Sequence, residues 1–546
     1  MFNGVIVQAI ISFYNRYHSL FLIAALILSM WYAFNGNQLL IDDSFISFRY
    51  AKNLAEGNGL VWNLGERVEG YTNFLWVLLY ALGFKLGIQP EPFTYILTIP
   101  LHLACLILTY LLAMLVLKNR SLAFVVLLLI GFNHSVAGFA GSGLETPLHM
   151  FVHLIVFYIL CLSLEKGWTR KSTLLLSLLL NISLLTRPDS VLLIGFTGLI
   201  WLCTNRNKKS VDYLVMTIPF LVIVLPWLIW KQLYYGTIIP NSFHAKVRDL
   251  AGFGFGLYYI YLFLIYYTLL PYLLLVIWRI KTFIKHNRTP GYLAVFSLIW
   301  MFYAVSVGGD FMEFRFMAPV IALLMIVILA ALRYFISDKR IMVALIFALC
   351  LGTVNNFHFM SERFYSYRVE RVEALRDHIY SPSENWIVIG HKMHDLFGGT
   401  DVTLALGAAG TIPYYSGLRT LDFIGLTNRE VPKIGESFSS MPGHRIIAPL
   451  EYMVNYDVNI IIQPIRLMLQ GYNFRMFSRL AQWDSIYRFF IDIDKPVNGE
   501  IINEVQLIGI PIERGYYLVV WYLNPHEAVE RAIEDHGLKR IRLSRN

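Results

Sequence analysis

Apolar residues fall into long runs through the first two thirds of the chain, centred on residues 18–34, 72–88, 94–117, 121–136, 146–164, 173–186, 190–203, 212–232, 257–279, 291–307, 317–336 and 340–356. Runs of roughly 17 to 25 apolar residues match a helix crossing a bilayer, where each backbone N–H and C=O must be satisfied within the segment. The pattern predicts a polytopic α-helical membrane protein. From about Asn355 the long runs stop and charged residues return. Short β-rich runs replace them at 386–389, 402–406, 459–462, 489–491 and 516–522, with a helix expected over 363–380. These predict a C-terminal soluble α/β domain of roughly 190 residues, enough to bury its own core. The expected division is a membrane module over 1–356, with a first external loop at 37–72, and an α/β domain over 357–546.

Basic turns set an expected orientation. Lys118–Arg120, Lys166–Lys171, Arg206–Lys209, Arg279–Arg288 and Asp338–Arg340 are each separated from the next by two apolar runs. All five therefore fall on one side, the cytoplasm by the positive-inside rule. The polar pieces Gly141–Glu145, Arg187–Asp189, Tyr235–Arg248 and Gly308–Arg315 then face outward, with everything after residue 356. The acidic pair Asp42–Asp43 joins them only if segment 72–88 does not span. That segment is interrupted by Gly83 and Lys85 and rich in Tyr and Trp, so it is read as a helix along the outer membrane surface. The result is about 11 transmembrane helices with the N-terminus inside. The first apolar run lacks a small-residue cleavage site and is expected to stay as an anchor.

Composition narrows the class further. With 57% hydrophobic and 15% charged residues and a mean hydropathy of +0.56, a 546-residue soluble protein is excluded. The net charge of +9 sits in short turns, as topology signals do, so no nucleic-acid partner is expected. Cys105, Cys161, Cys203 and Cys350 lie in apolar segments and suggest neither a disulfide framework nor a thiolate metal site. No phosphate-binding Walker loop, dinucleotide fingerprint or H-E-x-x-H occurs.

The chemistry-bearing residues cluster in the outward pieces. Asp42–Asp43, beside a bilayer, read as a cation site, as acid/base equipment, as solvated loop charges, or as the acidic start of a short helix holding Phe45, Phe48 and Leu54 on one face. Glu145 either caps a helix start or faces substrate. Arg187 and Asp189 either pair with each other or leave Arg187 for a phosphate. The segment 234–246 mixes aromatics with Asn241 and Lys246, either to stack on a sugar and meet an anion or to anchor at the interface, and 308–316 carries Asp310, Glu313 and Arg315, which either pair with one another or serve a site. In the α/β domain, Leu406–Gly410 follows a strand and opens a helix; its amides suit an anion, although a purely structural turn is the preferred reading.

Several stretches resemble the membrane glycosyltransferases of GT-C type, and within them the terminal β-(1→2)-arabinofuranosyltransferases of actinobacterial cell walls and their bacterial relatives. They are DDSFISFRYAKNLAEGNGLVWNLGERVEGYTNFLW (42–76), GLETP (143–147), LTRPD (185–189), YYGTIIPNSFHAK (234–246), GGDFMEFRFMAP (308–319), ALGAAGTIPYYSGLRTLDFIGLTN (405–428) and PGHR (442–445). The order is kept along nearly the whole chain. Asn428 departs from the Asp expected after Gly-Leu-Thr.

The resemblance implies a GT-C fold in a bacterial cytoplasmic membrane, with the active site and α/β domain facing the periplasm. It further implies a polyprenyl-phosphate sugar donor and a glycan or glycolipid acceptor. Asp42 or Asp43 would be the general base, with inversion at the anomeric carbon. Arg187, Arg315 and Lys246 would meet the donor phosphate, and Arg49, Glu145, Asp189, Asn241 and Asp310 would bind substrate. The second aspartate orients the base or helps hold a divalent cation, which leaves the metal open. A flippase or transporter of lipid-linked saccharides is the alternative, and a glycan-binding scaffold a third. Charges gathered at one face without an internal repeat favour the enzyme.

Overall fold

The computed structural model describes residues 2–36, 39–246, 250–286, 288–354, 369–437, 443–463, 465–469, 504–512 and 515–544. The chain forms two compact units that interleave along the sequence. One comprises Met1–Leu39, Glu91–Leu228 and Ala251–Val372; the other comprises Leu40–Pro90, Ile229–Leu250 and Glu373–Asn546.

The first unit is helical, and each apolar run within it forms helix. Among the described residues of the whole chain, six helices are long and apolar enough to cross a membrane: Arg16–Phe34, Pro90–Leu117, Thr146–Lys166, Ser210–Tyr235, Arg288–Ser306 and Arg315–Phe335. Two bent pairs raise the number to eight. The helices Arg120–Gly131 and His134–Ala140 meet at 60°, where the Asn133 side chain accepts the Val136 N–H and starts a new helix. The segments Gly252–Tyr266 and Leu270–Trp278 meet at 106°, with Thr268 at φ +52° between them and Pro271 just inside the second helix.

Among the described residues, length and composition alone thus pick out six to eight of about eleven expected helices, and shorter apolar helices make up others. Arg170–Thr186 has 17 residues and Lys339–Val354 has 16. At about 25 Å they lie at the lower limit of the roughly 17 to 25 residues that cross a bilayer, and the second ends where the described residues end.

The second unit joins three separated stretches. Ile41 is extended, and the helix Asp42–Ala55 follows it. The helix Phe74–Lys85 packs against it, with Phe48 on Tyr80 at 4.5 Å and Ser47 hydrogen bonded to Asn73 at 3.0 Å. At 12 residues Phe74–Lys85 is about 18 Å long and falls short of a span, as expected for segment 72–88. The loop between these helices is tied to the end of the span Ser210–Tyr235. Tyr234 Oη accepts the Leu60 N–H, and Tyr235 Oη donates to the Leu60 carbonyl. Glu69 and Lys231, 3% and 1% exposed, form an ion pair at 2.8 Å. Burial pushes the Glu69 carboxyl up to about 7 against the opposing attraction of Lys231.

Among the described residues, the C-terminal part is an α/β domain around a seven-stranded mixed sheet of order β2-β1-β5-β8-β7-β9, with β6 also on β8. The strands are β1 (Thr403–Leu406), β2 (Arg419–Asp422), β5 (Ile460–Ile461), β6 (Leu467–Leu469), β7 (Glu504–Pro511), β8 (Tyr516–Tyr522) and β9 (Lys539–Ser544). β3 (Glu436–Ser437) and β4 (Ile446–Ile447) form a separate ribbon. β1 runs parallel to β2 and β5, while β7, β8 and β9 are antiparallel neighbours. The edge of β2 is covered by the first loop: Asn63 accepts the Thr420 N–H and donates to the Thr420 carbonyl, as a paired strand would.

The runs at 402–406, 459–462 and 516–522 contain strands as expected, and 489–491 lies outside the described residues. Of the helix expected over 363–380, the described part is Val372–Tyr380. Residues 386–389 are helical, not extended. Asn385 caps them by accepting the Val388 N–H, and Trp386, Ile389, Met393 and Phe397 bury one face of the helix Trp386–Phe397.

The Glu69–Lys231 pair yields a stability test. Glu69→Ala or Lys231→Ala leaves one buried charge alone and should cost about 3–5 kcal/mol, whereas Glu69→Leu with Lys231→Met should cost less than either. Thermal unfolding in detergent reads the difference, and equal losses in all three would refute it.

Candidate functional site

The expected site residues fall into two groups, one in each unit. In the second unit, Asp42 and Asp43 occupy the first turn of the helix Asp42–Ala55, where carboxylates complement the helix dipole. Asp42 Oδ1 accepts the Thr411 N–H at 2.6 Å. Thr411 begins the short helix Thr411–Ser416 that follows β1, so the turn at 406–410 does present an amide to an anion, and that anion is the protein's own carboxylate.

Gly410 permits the approach. A Cβ there would lie 2.0 Å from the Asp42 carbonyl oxygen and 2.7 Å from Oδ1. Burial pushes the Asp42 carboxyl up to about 6; the Thr411 hydrogen bond opposes the rise, and the neighbouring Asp43 adds to it. His378, hydrogen bonded to Glu384 at 2.5 Å and stacked on Trp386, pulls Asp42 the other way when protonated.

Seven positions on from Asp42, Arg49 is buried and makes four hydrogen bonds. Its guanidinium donates to the carbonyls of Trp62 at 2.8 Å, Leu418 at 2.8 Å and Pro413, and to Asn63 Oδ1 at 3.2 Å, with the Trp62 ring 4.6 Å from Cζ. One helix therefore holds Thr411–Ser416 at both ends. Asp42 meets its first amide, and Arg49 meets carbonyls at and just beyond its last turn, the charge order that a helix dipole favours.

Asn241 also holds structure: its Nδ2 donates to the carbonyls of Gly425, Leu426 and Asn428 at 2.8–3.1 Å. The loop it grips is organised by Asp422, whose carboxylate accepts the amides of Ile424, Gly425 and Thr427. Asn428 Oδ1 accepts the Glu430 and Val431 amides and the Tyr452 hydroxyl. All three bonds require an acceptor, which Asn supplies as well as the expected Asp. Lys246 ends the helix Asn241–Lys246, and its side chain lies outside the described residues.

In the first unit, Arg187 donates to Glu145 Oε1 at 2.5 Å and to Asp189 at 3.0 Å. His149 sits 3.6 Å from Asp189 and within hydrogen-bond reach of Ser190. Arg315 pairs with Asp310 at 2.7 Å. Both guanidiniums pack on the ring of Phe316, Arg187 at 5.4 Å and Arg315 at 5.7 Å from its centroid, so the structure brings the two arginines together. Two guanidiniums against the carboxylates of Glu145, Asp189 and Asp310 leave these five groups formally negative. A phosphate arriving there must displace a carboxylate or bring a cation. Nearby along the chain, Glu313 accepts from Ser135 Oγ at 2.6 Å and lies 3.7 Å from His134 Nε2, a His–carboxylate pair of the kind that supplies two ligands to a divalent cation.

Three features were not anticipated from the sequence. Lys231 was visible as a single lysine inside an apolar run, the usual sign of a buried partner, here Glu69. His149, one turn after Glu145, carried a weaker sign. Phe316 carried none, because its role depends on contacts between distant stretches; for the Thr411 amide the anion site was visible in the turn, and only the identity of the anion, Asp42, was not.

Comparisons with known proteins follow the same lines. A family model described as a domain of unknown function (DUF8728) matches residues 378–509. The terminal β-(1→2)-arabinofuranosyltransferase of Corynebacterium glutamicum is 30% identical over 326 residues, covering 52% of this chain and 47% of that protein. Its Mycobacterium tuberculosis counterpart is 27% identical over 328 residues, covering 52% and 51%. The chain thus spans about half the length of the curated relatives it matches, and the resemblance carried by its motifs is borne out. Among solved structures, ArnT from Cupriavidus metallidurans bound to undecaprenyl phosphate gives a TM-score of 0.55 at 11% identity, covering 93% of this chain and 98% of that one. Arabinofuranosyltransferase AftD from Mycobacteria gives 0.50 at 12%, covering 92% and 41%. The fold is GT-C, in a multi-pass membrane protein.

Two variants test the site's electrostatics. The folded-state value of about 6 for Asp42 lies above the ordinary carboxylate value, so its contribution to stability is full below about pH 4 and is lost as pH rises through 6. Asp42→Asn keeps an acceptor for the Thr411 amide; it should remove that pH dependence and melt no lower than the parent at pH 8. Arg187→Ala strands Glu145 and Asp189 and should destabilise by about 3–5 kcal/mol, read by thermal unfolding in detergent; an unchanged melt would show the cluster to be hydrated.

Proposed function

We propose that this chain is an inverting glycosyltransferase that moves a sugar from a polyprenyl-phosphate donor to a hydroxyl of an extracytoplasmic glycan or glycolipid. The observation that carries the reading is the Asp42 carboxylate, fixed by a backbone amide and held near 6, in a chain of GT-C fold. The named relatives favour an arabinofuranosyl group. Undecaprenyl phosphate on ArnT supports a lipid phosphate as the leaving group. The clustering of polar loops on one side of the basic turns supports a bacterial cytoplasmic membrane with the site and α/β domain toward the periplasm.

In the proposed reaction Asp42 takes the proton of the acceptor hydroxyl as that oxygen attacks the anomeric carbon. The bond from carbon to the phosphate oxygen breaks with its electron pair, so the configuration inverts and polyprenyl phosphate leaves. A positioned base of this kind contributes on the order of 10²–10⁴-fold, most effectively when its affinity for protons lies near the working pH. Asp43, beside it, raises that affinity. The leaving phosphodiester becomes a monoester with added negative charge, which the resemblance assigns Arg187, Arg315 and Lys246 to meet; at the two arginines the phosphate must displace a paired carboxylate or arrive with a cation. Arg49 and Asn241, both engaged by backbone carbonyls, are reassigned from substrate binding to holding the loops that carry the site. Glu145, Asp189 and Asp310 act through the arginines they pair with.

Purified protein with a radiolabelled polyprenyl phosphosugar and a cell-envelope acceptor fraction should yield labelled glycan. Asp42→Asn should lower turnover by about 10²–10⁴-fold. Wild-type turnover should fall as pH drops through about 6, because only the ionised carboxylate accepts a proton. Transfer that survives in the Asp42→Asn, Asp43→Asn double variant would refute the mechanism, and movement of the lipid across vesicles without transfer would favour a flippase.

A further inference from the structure

The C-terminal domain reaches the proposed base through a single turn. Strand β1 is buried along its whole length, and the chain leaves it at Leu406 to reach Gly410 and Thr411. The Thr411 N–H points at Asp42 Oδ1, 2.6 Å away. At Gly410 the approach is so close that a methyl group would lie 2.0 Å from the Asp42 backbone oxygen, well inside contact distance. The short helix beyond is clamped over its length: Phe45 packs on Tyr414 and Tyr415 at 5.4 and 5.5 Å, and Arg49 takes the carbonyls of Pro413 and Leu418. The carboxylate is thus referenced to the sheet by a chain of short, fixed contacts rather than by its own rotamer alone.

We propose that the turn Gly410–Thr411 of the C-terminal domain is the positioning element for the base, holding the Asp42 carboxylate by the Thr411 amide across a gap that only glycine leaves open. This rests on the reading of Asp42 as base. Part of the region matched by the family model of unknown function thereby gains a role, since residues 410–411 act on catalysis through Asp42 without touching substrate. The amide bonds the ionised form, so it also keeps the carboxylate available at lower pH than burial alone would allow.

Gly410→Ala tests this in the full-length enzyme, with Thr411→Pro as a second variant that deletes the N–H at a helix position where proline is tolerated. Each should lower kcat by about 10²-fold, the usual cost of a misplacement near 1 Å. Each should leave KM for the polyprenyl phosphosugar within about twofold and move the acid limb of the pH profile upward. Asp401→Ala, at an exposed residue of the same domain, should change none of these.

A wild-type kcat and acid limb in either folded variant would overturn the proposal, as would a rise in KM with an unmoved limb. If Asp42→Asn itself retains transfer, the assignment of the base fails first; if it abolishes transfer while the turn variants behave as wild type, only the positioning role fails. A measurement that needs no variant at the turn completes the test. Hydrogen exchange of the segment 407–416 should quicken in Asp42→Ala while β1 stays protected, and unchanged exchange there would count against the contact.

Discussion

A charge next to a bilayer must be held by an opposite charge or by aimed backbone dipoles, because neither hydrocarbon nor a packed loop will solvate it. Nearly every polar residue singled out in this chain obeys that constraint, each with a different partner. Glu69 and Lys231 neutralise each other inside the second unit. Arg49 directs its donors to carbonyls, and Asn241 does the same. Asp422 is wrapped by amides of its own loop. Asp42 differs in where its partner comes from: burial holds both Asp42 and Asp422 near 6, but the amide on Asp42, at 2.6 Å, is supplied by Thr411 from a distant stretch of the chain.

The same constraint explains what could be read from sequence. Spans were legible because the bilayer imposes a length, and every apolar run contains helix among its described residues. Their breaks were not, since a run is read from composition whereas a helix can end or bend inside it; Arg187–Pro188 ends one helix at 17 residues, and another pair bends by 106° around Thr268. The strand expected at 386–389 came from four residues of high β propensity. Only the wider window to Phe397 shows the helical spacing, and the Asn385 cap decides it.

The candidate residues were legible as types and not as partners. Asp42 and Thr411 are 369 positions apart, and nothing local to either announces the other. Glycine at 410 looked like an ordinary strand-to-helix turn, and its need is visible only once the Asp42 backbone is seen within contact of where a side chain would be. Conversely, the pairings weighed for Arg187 with Asp189 and for Arg315 with an acid both occur, because residues so close along a turn find each other without help from the fold.

The interleaving of the second unit gives these contacts a common logic. The first loop, the end of the helix that carries Lys231 and the C-terminal domain are far apart in sequence, yet each supplies what another lacks. Asn63 completes the edge of β2, Tyr234 and Tyr235 satisfy Leu60, and the turn after β1 satisfies Asp42. A soluble α/β domain that served only to bind a glycan would not need to devote a glycine and a strand end to a carboxylate of the first loop. Its attachment there ties the domain's own fold to the position of one ionisable oxygen, so that sheet, loop and carboxylate are best understood as one mechanical part.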